Sequence, residues 1–178
     1  MARSTESEIV RLPERANDIS AGEITLEVQR QLGEFTLDAI YRDKVLSQRT
    51  RQYELRAPTR FSRVEILHTL LGIELKMGNR RVLCPDLATA RYLSVFAQVG
   101  CQVVAVPYDI TQVSHVADLL ESSLNRLRLL AEHLTEGRSA RLRTAVVKRI
   151  VSDARSEITR LGAGAKIPAF NQNTRQRV

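Results

Sequence analysis

The chain has 178 residues with 43% hydrophobic and 26% charged side chains, which is the size and balance of one globular domain with some additional tail. Aromatic residues account for 4% and tryptophan is absent, so we expect a core of Leu, Val, Ile and Ala, which favours packed helices over an all-β sandwich. The formal net charge is +7, no apolar run approaches the roughly 18 residues that span a bilayer, and the N-terminus lacks the apolar stretch of a secretion signal. We therefore expect a cytoplasmic protein without a membrane span, and the two cysteines, Cys84 and Cys101, do not indicate a disulfide framework.

The N-terminal third predicts a tail, a strand and a helix. Residues 1–21 show neither helical nor strand periodicity, which is typical of a flexible tail. Alternating apolar and polar residues predict a strand over 23–30, and apolar residues at helical spacing predict a helix over about 35–48. The basic stretch 47–60 is expected to form a turn before the next ordered segment.

The middle of the chain predicts three short strands, over 64–70, 73–77 and 81–84. Apolar and polar residues alternate there, and glycine-containing pairs separate the runs. A single helix from Ser62 to Lys76 fits the periodicity nearly as well and stays open as an alternative.

A helix is predicted next, with Asp86 as its N-cap and Gly100 at its C-terminal end. The apolar, β-branched run 101–107 is typical of a strand covered on both faces. Because a strand, a helix and a strand follow one another with short links, we expect 81–84 and 102–106 to run parallel in a right-handed βαβ unit.

The C-terminal half predicts two long amphipathic helices that form an antiparallel hairpin, with apolar stripes over 116–134 and 147–161. The predicted fold is therefore α/β or α+β, with a small mixed sheet, one parallel βαβ unit, the helical hairpin and flexible termini. Four segments result: a flexible N-terminal tail 1–21, an α/β core 22–110, the hairpin 111–161 and a flexible basic C-terminal tail 162–178.

The positive charge is concentrated at the C-terminal end. Residues 1–136 hold 17 Lys and Arg against 18 Asp and Glu, whereas residues 137–178 hold ten against two. Such a block is typical of a surface that meets phosphates or an acidic partner, and Arg in particular suits phosphate geometry. The ten candidate nucleic-acid-binding residues are Arg138, Arg141, Arg143, Lys148, Arg149, Arg155, Arg160, Lys166, Arg175 and Arg177.

Two other roles for the helical end stay open. A cationic amphipathic helix can lie on an anionic membrane, but the aromatic anchors typical of such helices are missing from its apolar face. The two apolar stripes also offer more surface than a small core needs, so a homo-oligomer through the 116–161 helices, as in a structural or adaptor protein, is an alternative.

An enzymatic alternative depends on Glu65, Glu74 and Lys76, which lie on two neighbouring predicted strands. Two acids that bind a divalent ion and a lysine near the attacking water are the parts of metal-dependent phosphodiester cleavage. With these residues, the region from about Phe35 to Tyr108 resembles the core of the PD-(D/E)xK nuclease superfamily. The resemblance implies Mg²⁺ as cofactor, Glu65 as the first acid and Glu74 and Lys76 as the ExK pair; a solvated strand face explains the same residues.

Two aspartates, Asp86 and Asp109, follow predicted strands and are weak candidates for a shared metal site. Each also precedes a predicted helix, where an Asp caps the free backbone N–H groups. We expect capping, no catalytic centre and no cofactor. The leading hypothesis is a non-catalytic cytoplasmic protein that binds nucleic acid or another acidic partner through its basic C-terminal helix and tail.

Overall fold

The computed structural model describes residues 20–58 and 63–164. Most of the two predicted tails, with Lys166, Arg175 and Arg177, lies outside these ranges. The described residues form five helices and five strands in two antiparallel sheets. In chain order these are α1 (Ala21–Leu32), α2 (Leu37–Ile40, continued by a π-helical turn Tyr41–Val45), β1 (Thr50–Glu54), β2 (Val64–Thr69), β3 (Gly72–Met77), β4 (Arg80–Cys84), α3 (Leu87–Val99), β5 (Val103–Pro107), α4 (Ile110–Leu134) and α5 (Ala140–Leu161).

The segment predicted as a strand over 23–30 is helix α1, and that prediction was wrong. Ser20 and Glu23 form a reciprocal capping box at its start, which stabilises the first helical turn. Ile24 and Val28 are buried on one helical face, whereas Leu26, which completes the apparent alternation, is 67% exposed. Spacing of four residues, not of two, therefore matches the buried face.

The three strands predicted in the middle of the chain are confirmed, so the alternative of one helix there was wrong. β2, β3 and β4 form an antiparallel meander with β3 in the centre. Gly78 adopts a φ of +60° at the turn between β3 and β4 while Asn79 keeps a negative φ, which is the pattern of a type II′ turn.

The prediction of a parallel βαβ unit was wrong. β5 pairs antiparallel with β1, a polar strand that the sequence patterns did not predict, in the register Thr50 to Pro107 through Glu54 to Val103. β4 is already an edge of the other sheet. Helix α3 consequently connects two sheets and does not cross over within one, so the handedness rule for parallel strands does not apply.

The predicted limits of α3 are confirmed. The Asp86 carboxylate accepts a hydrogen bond from the backbone N–H of Thr89 over 2.7 Å, and Gly100 ends the helix with a φ of +86°. β5 is covered on both sides, since Val104, Ala105 and Val106 are fully buried.

Helices α4 and α5 form the predicted antiparallel hairpin. Their halves next to the connecting loop pack with α1 in one apolar cluster, and their distal halves join the main core around α3 and β5. In the part of the chain that the structure describes, no helix combines the length and hydropathy needed to cross a bilayer.

Candidate nucleic-acid interface

Helix α5 carries most of the predicted basic residues that the structure describes. Its N-cap is Ser139, whose hydroxyl accepts a hydrogen bond from the backbone N–H of Leu142. Val146, Ile150 and Ile158 lie buried on its inner face, so the charged side chains are restricted to its remaining surface. Arg155 is half-buried, and the others of the helix are exposed: Arg141, Arg143, Lys148, Arg149 and Arg160.

A groove of about 800 Å³ runs beside α5, between this helix, α4 and the C-terminal end of α3. Its cations are Arg128 from α4 and Arg143, Lys148 and Arg155 from α5, and its one carboxylate is Glu132. Its remaining lining residues are small or apolar for the most part: Pro58, Ala97, Gln98, Val99, Gly100, Thr144, Val147, Val151 and Ser152. The groove therefore combines a cationic rim with an apolar floor.

Three of the predicted basic residues form a line along α5. Arg141, Lys148 and Arg155 follow one another at intervals of seven residues, which returns each to nearly the same face of the helix about 10 Å further along the axis. We call these three residues the cationic line. Lys148 and Arg155 also line the groove, so the line runs along the groove's edge.

The charges of Arg128 and of the cationic line are not neutralised locally. Within residues 20–58 and 63–164, no carboxylate lies within 4.0 Å of a charged nitrogen of these four side chains. Arg128 donates a hydrogen bond to the side-chain oxygen of Gln98 on α3 over 2.8 Å. Arg155 donates to Ser152 Oγ over 3.4 Å. The hydrogen-bond acceptors of both guanidinium groups are thus neutral oxygens.

The other predicted basic residues of the helical end have different surroundings. Arg143 pairs with Glu132 over 3.2 Å, and Arg160 pairs with Glu157 on the same helix. The Arg149 guanidinium lies against α1, where it would be 3.2 Å from a Cβ atom at Gly22. Arg138 is half-buried in the loop between α4 and α5. The structure therefore does not bring all of the predicted residues together.

Arg128 is the one groove cation that the sequence analysis did not identify. It belongs to the near-neutral part of the chain before residue 137, so the charge count did not mark it as a candidate for phosphate binding. The available signal was its position beside the buried Leu124, Leu127 and Ala131 on α4, because that pattern places it at the border of the buried helical face, next to the neighbouring helices.

Two of the predicted nuclease residues are paired with each other. Glu65 and Lys76 are direct neighbours in the register of β2 and β3, and Lys76 Nζ lies 3.4 Å from Glu65 Oε2. Arg63 Nε lies 2.9 Å from the other oxygen of the same carboxylate. Lys76, which a nuclease would need beside the attacking water, is thus paired with a carboxylate.

Glu74, the third of these residues, lies on the same face of the sheet and is only 8% exposed. Its Oε1 accepts a hydrogen bond from the Thr69 hydroxyl over 3.3 Å, and Arg81 Nη1 lies 3.5 Å from Oε2. Each acid therefore has its own cationic neighbour.

The two aspartates considered for a metal site both act as helix caps. Asp109 accepts hydrogen bonds from the hydroxyl and the backbone N–H of Thr111, and these bonds hold the pKa of its carboxyl below the usual value. Asp86 caps α3 in the same manner. Among the described residues, no three His, Cys, Asp or Glu side chains come close enough together to hold a metal ion.

Much of the apolar stripe of the hairpin is covered from within the chain. Leu127 of α4 and Ile150 of α5 are buried in one cluster with Ile24, Val28 and Leu32 of α1. The sequence analysis assigned this N-terminal segment to a strand and so left the stripe without its partner. The buried stripe of α5 is consequently not a surface on which the helix could lie on a membrane.

Comparison of the chain with protein-family models, with curated proteins and with solved structures found no match. The groove and the cationic line are therefore the features of this protein from which a function can be inferred.

Proposed function

We propose that this protein binds the phosphate backbone of nucleic acid through the cationic line and Arg128, without catalysing a reaction on it. The observation that carries the proposal is that three cations of one groove, Arg128, Lys148 and Arg155, have no carboxylate partner among the described residues, and that Arg141 continues their row along α5 outside the groove. Some exposed cations of this chain are paired with carboxylates, as Arg30, Arg42 and Arg56 are, and other unpaired ones in the described part of the chain are scattered over its surface, whereas the unpaired cations beside α5 lie close together. A row of unneutralised cations raises the local positive potential, which attracts a polyanion.

The spacing of the cations supports a polymeric ligand over a small anion. Arg141 and Arg155 are two intervals of about 10 Å apart along α5, too far to share one phosphate group. A chain of phosphates can contact each cation in turn, and such contacts carry no sequence information by themselves. We expect the protein to act in the cytoplasm, where its two buried cysteines remain free thiols.

The test is a triple variant, Arg128→Gln, Arg141→Gln and Lys148→Gln, measured by fluorescence anisotropy with a labelled nucleic acid. All three side chains are exposed, so the fold should persist. We expect the affinity at low salt to fall by at least about tenfold. With a single-stranded ligand, the slope of log affinity against log salt should decrease in magnitude by about 2, since each of the three lost phosphate contacts contributes about 0.7 to that slope.

A matched control removes the same charge elsewhere. The variant Arg30→Gln, Arg42→Gln and Arg56→Gln also loses three exposed arginines, but each of them is paired with a carboxylate. Its affinity should stay close to that of the parent. If both triple variants weaken binding equally, only net charge matters and the proposed surface is wrong; if polyglutamate displaces the nucleic acid at equal charge concentration, the partner is an acidic protein.

A further inference from the structure

We propose that the groove beside α5 accommodates unpaired bases, so that the preferred ligand is single-stranded nucleic acid. This inference rests on the proposed phosphate-binding function and specifies the class of its ligand. It follows from the floor of the groove, which phosphate contacts alone do not explain.

The floor of the groove is aliphatic. Its lining includes Ala97 and Val99 of α3, Val147 and Val151 of α5, and Pro58; Val147 and Pro58 are half-buried and the other three are buried. A volume of about 800 Å³ is in the range of sites that enclose small organic ligands. In a duplex the base faces are stacked inside and only phosphates and base edges are presented. A single strand exposes its base faces, which can cover this apolar floor while its phosphates stay at the rim.

The walls of the groove differ in charge. The last turn of α3 ends at Gly100, and the free carbonyl groups of a helix C-terminus form the negative end of the helix dipole. Two of the groove cations reach this wall, since Arg128 donates a hydrogen bond to Gln98 and Arg155 Nη1 lies beside Gly100. Lys148, in contrast, is exposed at the α5 edge of the groove. A phosphate bound at Lys148 leaves the base of the same nucleotide directed toward α3.

Arg155 lies where the base would be bound. Its Nη1 would be 3.0 Å from a Cβ atom at Gly100, so the missing side chain of this glycine lets the guanidinium group lie close against α3. Guanidinium groups stack on base faces as well as pairing with phosphates. Arg155 and Gly100 also border a second groove of about 500 Å³, which continues past Thr159 and Gln102. The two grooves provide a track for more than one nucleotide.

The test compares three labelled ligands in the same anisotropy assay: a single-stranded DNA, the duplex of the same sequence, and a strand of the same length without bases. We expect the single strand to bind at least about tenfold more tightly than either of the others. Equal affinities for all three would overturn the inference and leave the proposed function intact. No binding of any of them would instead overturn the proposed function.

Two substitutions at neighbouring positions test whether the bases bind in this groove. Thr144 lines the groove and is exposed, so Thr144→Trp fills the groove without changing the charge. Ala145 is also exposed but is not part of the lining, and Ala145→Trp is the matched control. Thr144→Trp should weaken single-strand binding about tenfold and leave duplex binding unchanged, whereas Ala145→Trp should change neither. An unaltered single-strand affinity in a folded Thr144→Trp protein would overturn the assignment of bases to this groove.

Discussion

The hydroxyl of Tyr41 accepts a hydrogen bond from the backbone N–H of Ala105 over 2.9 Å and donates one to the carbonyl of Gly162 over 2.6 Å. One side chain in the π-helical turn after α2 thus connects the buried strand β5 to the residue that ends α5. The carbonyl of Ala105 in turn accepts a bond from the hydroxyl of Tyr92 on α3 over 2.5 Å. Ala105 of strand β5 therefore donates a hydrogen bond to one tyrosine and accepts one from another.

Replacing Tyr41 by Phe should destabilise the protein by about 1 to 3 kcal/mol, because the buried N–H of Ala105 loses its acceptor. Tyr53→Phe is the control, since within the described residues its hydroxyl makes no hydrogen bond to the protein. Urea unfolding followed by circular dichroism measures both variants. Equal stability of the two would mean that the Tyr41 hydroxyl contributes nothing to folding.

The protein should lose stability in alkaline solution. Burial raises the pKa of Tyr41 to about 12 and raises the pKa of Tyr92 well above its usual value. Tyrosines of the unfolded chain ionise near pH 10, so between about pH 10 and 12 the folded state holds protons that the unfolded state has released. The stabilisation from these groups is complete below about pH 10 and decreases as the pH rises through this window.

Urea titrations at about pH 8 and about pH 11 measure this loss of folding stability at high pH. The Tyr41→Phe variant should lose less stability between the two pH values than the parent does. An identical pH dependence in parent and variant would contradict the role assigned to Tyr41.

Gly100→Ala should cost about 1 to 3 kcal/mol, because an alanine there must adopt a φ of +86°. It should also displace Arg155 and weaken single-strand binding several-fold. Gly33→Ala is a matched control, since Gly33 has a φ of +57° but no atom within 4 Å of the added Cβ. The control should lose stability in the same assay and keep its affinity; a similar loss of affinity in both variants would show that strain, not Arg155, is responsible.

Substitutions at two leucines of α4 can distinguish a role of the hairpin in the core from a role in contacts between copies of the chain. Leu127 is 2% exposed and Leu129 is 66% exposed. Leu127→Asp places a charge in the cluster with α1 and should cost several kcal/mol or prevent folding. Leu129→Asp should leave the melting temperature nearly unchanged.

The hydrodynamic size of Leu129→Asp tests the alternative of a homo-oligomer. If the parent sediments as an oligomer and this variant as a monomer, the outer side of the hairpin is an interface between copies. If both proteins sediment alike, this side of α4 takes no part in assembly.

No Mg²⁺- or Mn²⁺-dependent cleavage of DNA or RNA is expected, because the Lys76 ammonium and the Glu65 carboxylate are paired with each other. Incubation of the protein with single- and double-stranded substrates, followed by gel electrophoresis, measures this. Metal-dependent turnover that disappears in Glu74→Gln would overturn the expectation and support the resemblance to the PD-(D/E)xK superfamily.

Local sequence signals determined those parts of the fold whose stabilising contacts are also local. The cap at Asp86, the glycine at 100 and the type II′ turn at Gly78 act within a few residues, so the limits of α3 and the β3–β4 turn were predictable. The buried face of α5 followed in the same way from helical periodicity.

Only the tertiary structure decided the elements whose identity depends on a distant partner. The polar strand β1 is a strand because β5 pairs with it. In α1 a local capping box already favours a helix, and the burial of Ile24 and Val28 in one cluster with Leu127 and Ile150 decides which residues form its apolar face. Arg128 and Arg155 are 27 positions apart in the sequence and line one groove because α4 and α5 fold back on each other. Packing between distant segments, which leaves no periodic pattern in the sequence, created the candidate site.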